Sequence, residues 1–310
     1  MMVSISPGKV ILLGEHGVVY GKPCLSMAIS LKVAVNVERS DTCTVNGRVM
    51  EEGRHVYIMK AMEKTGINEP VAVTTFSQIP SASGLGSSAA ITAACVAAFL
   101  AMKGRVDKEE VARKSFEVEY EVQRGASPND TSACVHGGTI LTWSEERAGY
   151  VWKMEKGERR WYIYPVKTDM DINLVVGHTG IKSKTPLLIK KIRKFVEYSS
   201  FGRELMDEME GIVMEGKKAL ENQDFVKLGD LMNKNQKILH TLGASSKEIE
   251  KLINAALKAG AYGAKLTGAG GGGSIVALAE DAERVAEAIE KRKGKAYIVS
   301  MEKEGIKVWK

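Results

Sequence analysis

Proline is scarce in this chain, at 7 of 310 residues, and cysteine is scarcer, at four. So little proline excludes collagen-like and proline-rich low-complexity architectures. Cys24, Cys43, Cys95 and Cys134 form no C-x-x-C pair. That argues against a zinc site and fits a reduced, intracellular thiol set, with Cys95 a small buried residue. Long hydrophobic runs are also missing. The longest, Ala89 to Met102, has 14 residues and contains Thr92, short of the roughly 20 a bilayer requires. The segment MMVSISPGKVILLGEHG has no basic stretch followed by a cleavable apolar one, so no secretory signal and no membrane partner are expected, and the protein reads as cytoplasmic. Charge imbalance is slight: 44 basic against 38 acidic residues give +6. That suits anionic small molecules and falls short of a nucleic-acid footprint. The densest basic cluster, Lys182, Lys184, Lys190, Lys191, Arg193 and Lys194, reads as a solvated helix face.

What is present is an ordinary globular composition, 44% hydrophobic and 26% charged, with 31 glycines gathered in a few places. Strands are expected at 10–13, 31–37 and 71–79, the last ending at Pro80. The alanine-rich run after it predicts a helix closed by Gly104. Asp107 and Glu110 form a D-x-x-E capping box opening a helix to about Gln123. A strand at 137–143 precedes a polar hairpin or surface excursion at 144–165. The second half begins with a strand at INLVVGHTG. A helical region follows over 185–242, broken by Gly202, Gly211, Gly216 and Gly229, with a core stripe of Leu205, Met209, Ile212 and Val213. A helix at 246–259, a strand–glycine loop–strand unit, a helix capped by Asp281 and a strand at AYIVS complete the reading. No internal repeat is visible. The pattern implies an α+β fold in two domains, 1–165 and 166–310, with a cleft between them.

Three constellations bear chemistry. In IPSASGLGSSAA (79–90) a strand gives way to glycines and then to a helix opening at Ser87 and Ser88. Such a helix start presents backbone N–H groups and a favourable dipole to an anion, while Gly84 and Gly86 permit close approach of a phosphate. No lysine precedes the serine pair, so this is not a Walker A loop. A plain N-cap by Ser87 is the competing reading. The second, GAGGGGS (268–274), matches G-x-G-x-x-G through Gly268, Gly270 and Gly273, but a strand rather than a helix follows, so a nicotinamide-binding fingerprint is rejected. A loop folded against a ligand or against the first loop accounts for its glycines better than a plain hairpin. The third is a carboxylate pair. On a helical wheel over 107–123, Glu119 falls among Val111, Ala112, Ser115, Phe116, Val118 and Val122, facing inward, while Asp130 lies in the turn that follows. Together with the serines they could form a Mg²⁺–phosphate site. The alternative pairs Glu119 with a Lys or Arg and makes Asp130 a turn cap. Lys9 reads equally as a snorkelling surface residue. His16 reads as a hydrogen-bonded structural histidine. His55, His136, His178 and His240 show no ligand spacing.

SPGKVILLGEHGVVYGKP, IPSASGLGSSAA and KLTGAGGGGS, in this order, resemble the three signature motifs of the GHMP small-molecule kinases. GEHGVVYGKP and MNKNQKILHTLGASS (232–246) are most similar to the mevalonate kinase family within them. The resemblance spans the chain and implies a two-domain GHMP kinase-type fold with the active site in the cleft. It implies ATP-dependent phosphorylation of the mevalonate C5 hydroxyl, Mg²⁺ as cofactor and a homodimer. By the same resemblance Asp130 is the catalytic base and Lys9 lies beside the transferred phosphoryl group. Ser88 and Glu119 bind Mg²⁺. Pro80, Ser81, Ala82, Ser83, Gly84, Leu85, Gly86, Ser87, Ser88, Ala89 and Gly270 surround the ATP phosphates, and His16 and Glu15 lie at the substrate. His16 is the candidate partner of the substrate carboxylate. Ala82 stands where the family usually has glycine, which is tolerable if its φ is negative. Gly125 is shifted by one residue against the family's turn before the aspartate. A phosphomevalonate or sugar kinase, or a non-catalytic ATP-binding sensor on this fold, are the alternatives.

Overall fold

The computed structural model describes residues 1–123, 125–168, 173–182 and 185–310, and the backbone alone of 185–187. Lys184 of the basic cluster lies outside the described residues. Two long strands open the chain, β1 (Met2–Leu13) and β2 (Cys24–Arg39), joined through a 3₁₀ turn at Gly17–Tyr20. The small hairpin β3 (Thr44–Val45) and β4 (Arg48–Val49) leads to helix α1 (Glu52–Thr65) and strand β5 (Val71–Ser77). Helices α2 (Ser87–Met102), α3 (Lys108–Gln123) and α4 (Asn129–His136) follow. Next come strands β6 (Thr139–Trp143), β7 (Trp152–Lys156) and β8 (Arg159–Val166). The second half holds β9 (Leu174–His178) and helices α5 (Thr185–Tyr198), α6 (Ser200–Glu221), α7 (Phe225–Thr241) and α8 (Lys247–Lys258). It ends with β10 (Gly263–Thr267), β11 (Ser274–Leu278), α9 (Ala282–Glu290), β12 (Lys295–Val299) and β13 (Lys307–Trp309).

The strands form two sheets. The first has the order β4-β3-β5-β2-β6-β8-β7, with β1 lying along β2 and β13 on the outer edge of β1. The second is antiparallel, in the order β10-β11-β9-β12. The strand Lys307–Trp309 therefore belongs to the first sheet, paired antiparallel to Val3–Ile5, although it follows the second sheet in the chain. The alanine-rich α2 is buried on nearly every side. Ala90, Ala93, Ala94, Ala97 and Ala98 have no exposed surface, and their small side chains let the helix sit close to β1 and to α1 and α3. Among the described residues no helix is long and apolar enough to cross a membrane.

Local chemistry explains most boundaries. Asp107 accepts from the Glu110 amide at 2.8 Å, and the Glu110 carboxylate turns to Arg105. Asp281 and Ser246 cap α9 and α8 through the amides of Arg284 and Ile249. The glycines expected to break the helical region do not: Gly202, Gly211 and Gly216 lie within α6 and Gly229 within α7. Two further helices depart from the expected reading. Glu52–Thr65 was not foreseen, and Asp130 lies not in a turn but in the first turn of α4. Asn, Asp, Thr and Ser are weak helix formers. Burial of Ala133, Cys134 and Val135 supplies what local propensity lacks.

Candidate active site

The site forms where β1, the loop before α2, the amino terminus of α4 and the β10–β11 loop meet. On β1, the register shifts between Pro7 and Gly8 and delivers Lys9 into the interior, 1% exposed. This rules out the snorkelling reading. The Lys9 amide donates to the Leu85 carbonyl at 3.0 Å. Its Nζ donates to Gly84 O at 3.2 Å and pairs with Asp130 Oδ2 at 2.9 Å. Burial alone would lower the Lys9 pKa, but the charge and hydrogen bond of Asp130 raise it, so the ammonium persists. The stem of Lys9 lies against Gly86, where a Cβ would come within 2.9 Å of Lys9 Cγ and where φ is +74°.

Gly86 is the N-cap of α2 and makes no side-chain cap, so Ser87 is not the N-cap; it and Ser88 open the helix with hydroxyls uncommitted to capping. Within the loop, Ser83 turns inward and donates to Pro80 O at 2.7 Å. Ala82 has φ +55°, not the negative value expected. The chain alternates left-handed residues at 82, 84 and 86 to curl the loop, and exposed Ala82 takes one of those places at a cost glycine would avoid.

Glu119 faces inward as the wheel predicts, 4% exposed. Among the described residues no Lys or Arg pairs with it. Its Oε2 accepts from Gln123 Nε2, one helical turn on, at 2.9 Å, and Gln123 also reaches Ser88 Oγ at 3.4 Å and Tyr57 Oη at 3.3 Å. Among the described residues Oε1 of Glu119 is buried with no hydrogen-bond partner. Burial pushes the carboxyl up to about 7, against the pull of the Ser88 hydroxyl. Glu119, Ser88 and Asp130 thus converge from three helices.

The six-residue loop between β10 and β11 closes the site. Gly84 and Gly268 meet backbone to backbone: a Cβ on Gly84 would fall 2.6 Å from Thr267 O, and one on Gly268 would fall 3.0 Å from Gly84 Cα. Gly270 backs onto the Ala244 carbonyl. A cavity of about 450 Å³ lies between the loops, lined by Lys9, Ser87, Ser88, Gln123, Asp130 and the glycines. A neighbouring cavity of about 500 Å³ shares Tyr57 and Ile91 with it and carries Arg48, Arg54 and His55.

Two expected residues sit differently. Glu15 is 1% exposed and ion-paired with Lys265, whose Nζ also donates to Leu266 O at 2.6 Å, so Glu15 backs the site rather than lining it. Burial moves both groups toward their neutral forms, Glu15 up and Lys265 down. His16 lies 3.1 Å from Ala269 O through Nε2. Only an N–H can bond a carbonyl, so Nε2 carries the proton. Burial holds the imidazole down at about 4. With no ligand bound, the imidazole is therefore neutral near pH 7.

Sequence reasoning missed Gln123, Asn129, Lys265 and Thr267. Gln123 was findable, since i and i+4 on α3 share a face with Glu119. Thr267 Oγ1 accepts from the Ile11 amide at 2.9 Å, and in the N-Q segment Asn235 Oδ1 accepts from Gly14 N at 2.8 Å. Both are contacts across the chain that no local pattern signals.

The chain matches the family model for the GHMP kinases N terminal domain over residues 54–138 and that for GHMP kinases C terminal over 217–297. It is 32% identical to the mevalonate kinase of Pyrococcus abyssi, over 99% of this chain and 98% of that one. It is 33% identical to the mevalonate kinase of Archaeoglobus fulgidus, over 99% of each. A mevalonate kinase crystal structure superposes with a TM-score of 0.81 at 25% identity, covering 97% of this chain and 99% of that one. The mevalonate kinase of Methanococcus jannaschii, 24% identical, shares the fold with a TM-score of 0.80 over 97% of this chain and 98% of its own. With its motifs assembled on that fold and its relatives matched end to end, the chain belongs to the GHMP kinases, in the mevalonate kinase family.

Proposed function

We propose that the chain transfers the γ-phosphoryl group of ATP to the C5 hydroxyl of (R)-mevalonate, giving 5-phosphomevalonate and ADP for isoprenoid precursor synthesis. The observation that carries this reading is the Lys9–Asp130 pair, 2.9 Å apart, facing a cavity bounded by two glycine loops. End-to-end likeness to proteins named mevalonate kinase supports the choice of substrate.

Each residue then has a task. The loop 80–89 and Gly270 receive the phosphates through backbone N–H groups at the start of α2. The adjoining cavity beyond Tyr57 and Ile91 receives the nucleoside. Asp130 accepts the proton of the attacking hydroxyl, and Lys9 neutralises charge on the transferring oxygens. Among the described residues no group of three His, Cys, Asp or Glu side chains forms a complete metal cage. The unpartnered buried Oε1 of Glu119, beside the Ser88 hydroxyl, suits one Mg²⁺ whose remaining ligands come from the nucleotide. When bound, that ion would offset phosphate charge. Neutral His16 contributes shape and a lone pair at Nδ1 near the substrate. The domains divide near 165, with β13 returning to the first sheet, and the enzyme acts in the cytoplasm as a homodimer, a reading that rests on the family resemblance.

A coupled ADP-release assay with mevalonate, phosphomevalonate, galactose and homoserine tests the substrate. Turnover with mevalonate alone is expected. Preference for another acceptor, or ATP binding without transfer, overturns the proposal. Asp130→Asn should lower kcat by about 10²–10⁴-fold with ATP still bound, and near-normal turnover would remove Asp130 as base.

A further inference from the structure

We propose that Asn129 is a positioning residue for Asp130, fixing the carboxylate through the oxygen that Lys9 does not hold. The inference rests on the reading of Asp130 as the base. Neighbouring residues in a helix diverge by about 100° and do not normally touch. Here Asn129 Nδ2 nevertheless donates to Asp130 Oδ1 at 3.1 Å, while Lys9 Nζ holds Oδ2 at 2.9 Å.

Asn129 is 1% exposed, its amide embedded between α4 and the first sheet. Nδ2 also donates to Ser26 Oγ of β2 at 2.9 Å, and Oδ1 accepts from Thr142 Oγ1 of β6 at 3.0 Å. The Ser26 hydroxyl lies 3.1 Å from Oδ1 as well. Ser26 and Thr142 are both fully buried. Hydroxyls both donate and accept, so Ser26 and Thr142 hold the amide in place while Asp130 decides which end is nitrogen. An ionised carboxylate only accepts, so the nitrogen must face Asp130, and a flipped amide would set its carbonyl oxygen against Oδ1. Asp130 itself is 36% exposed and would otherwise turn freely about its own side-chain bonds. Two buried hydroxyls on neighbouring strands thus set the plane of a half-exposed carboxylate, through an amide that the core alone would not require.

The test uses Asn129→Leu, a near-isostere without the donor, and Thr142→Val, which keeps Asn129 but removes a hydroxyl that holds it. Both are assayed as full-length enzyme with ATP, Mg²⁺ and mevalonate, alongside ADP affinity by calorimetry and thermal midpoints. Asn129→Leu should lower kcat per folded molecule by about 10–100-fold, and Thr142→Val by about 3–10-fold, as misplacement of a reacting group does. KM for both substrates and the ADP affinity should stay within about twofold. A merely structural role lowers the midpoint and leaves kcat per folded molecule within about twofold, and that result overturns the inference. If Asn129→Leu does not fold, Thr142→Val decides alone. Should Asp130→Asn keep its turnover, the base assignment fails. If Asp130→Asn is inactive while both other variants are fully active, only the role of Asn129 fails.

Discussion

Replacing Lys265 by methionine should cost the protein far more than any surface lysine. Lys265 sits in the middle of β10, 0% exposed, and its ammonium serves Glu15, Leu266 O and, at 3.4 Å, Ile11 O. It bolts the second sheet to the segment leaving β1. Methionine keeps the bulk of the stem but strips Glu15 of its cation, and among the described residues the second carboxylate oxygen of Glu15 already has no partner. Breaking a buried pair on one side costs about 3–5 kcal/mol. At roughly 2–4 °C per kcal/mol for large chains, the melting temperature should fall by about 6–20 °C. Glu15→Leu alone should cost a similar amount by leaving a buried ammonium. The double variant should recover most of the loss, because two apolar side chains replace two desolvated charges. Urea unfolding followed by circular dichroism at neutral pH, run as a double-mutant cycle, measures this. Single costs below about 1 kcal/mol that simply add would refute the reasoning, since they would mean that water reaches the pair.

Other outcomes follow from the same geometry. Burial lifts the Glu119 carboxyl from 4.5 to about 7. The stability this contributes is complete below the unfolded value and is lost as pH rises through 7, by at most about 3 kcal/mol. Glu119→Gln should remove that slope, so urea midpoints at pH 5 and pH 8 should converge in the variant. An unchanged slope would show that another group is responsible. Ala82→Gly relieves a left-handed alanine that costs about 1–2 kcal/mol but loosens the unfolded chain by a comparable amount. The melting temperature should therefore stay within about 3 °C of the parent, and a larger drop would mean that the methyl group packs. Gly84→Ala would push a Cβ to 2.6 Å from Thr267 O at a φ of +83°. It should raise the KM for ATP by about tenfold or more and lower stability by about 2 kcal/mol or more. Parent-like kinetics would refute the tight apposition of the two loops.

Periodicity and capping chemistry made much of the fold legible. The buried α2, the caps at Asp107 and Asp281, and the inward turn of Glu119 all follow from local rules that tertiary packing did not overrule. Asp130 in α4 shows the limit: its helix is built of poor helix formers and held by burial. Lys9 shows another. A lysine on a strand is usually at the surface, and only Asp130, 121 residues further on, explains its interior place. The same holds for Glu15 and Lys265, separated by 250 residues. The left-handed Ala82 went against a local rule because the loop's curl, set by the flanking glycines, outweighed one residue's preference.

The pairing of β13 with β1 has a consequence for how the molecule is made. Val3 meets Trp309, so during synthesis β1 waits for a partner encoded about three hundred residues downstream. Until then the outer rim of β1 presents unpaired amides and carbonyls to its surroundings, a template for errant association. Contacts this distant in sequence also slow the search for the native state. Deleting Lys307–Trp309 should therefore show itself first as aggregation during synthesis and refolding, before any loss of catalysis in molecules that succeed.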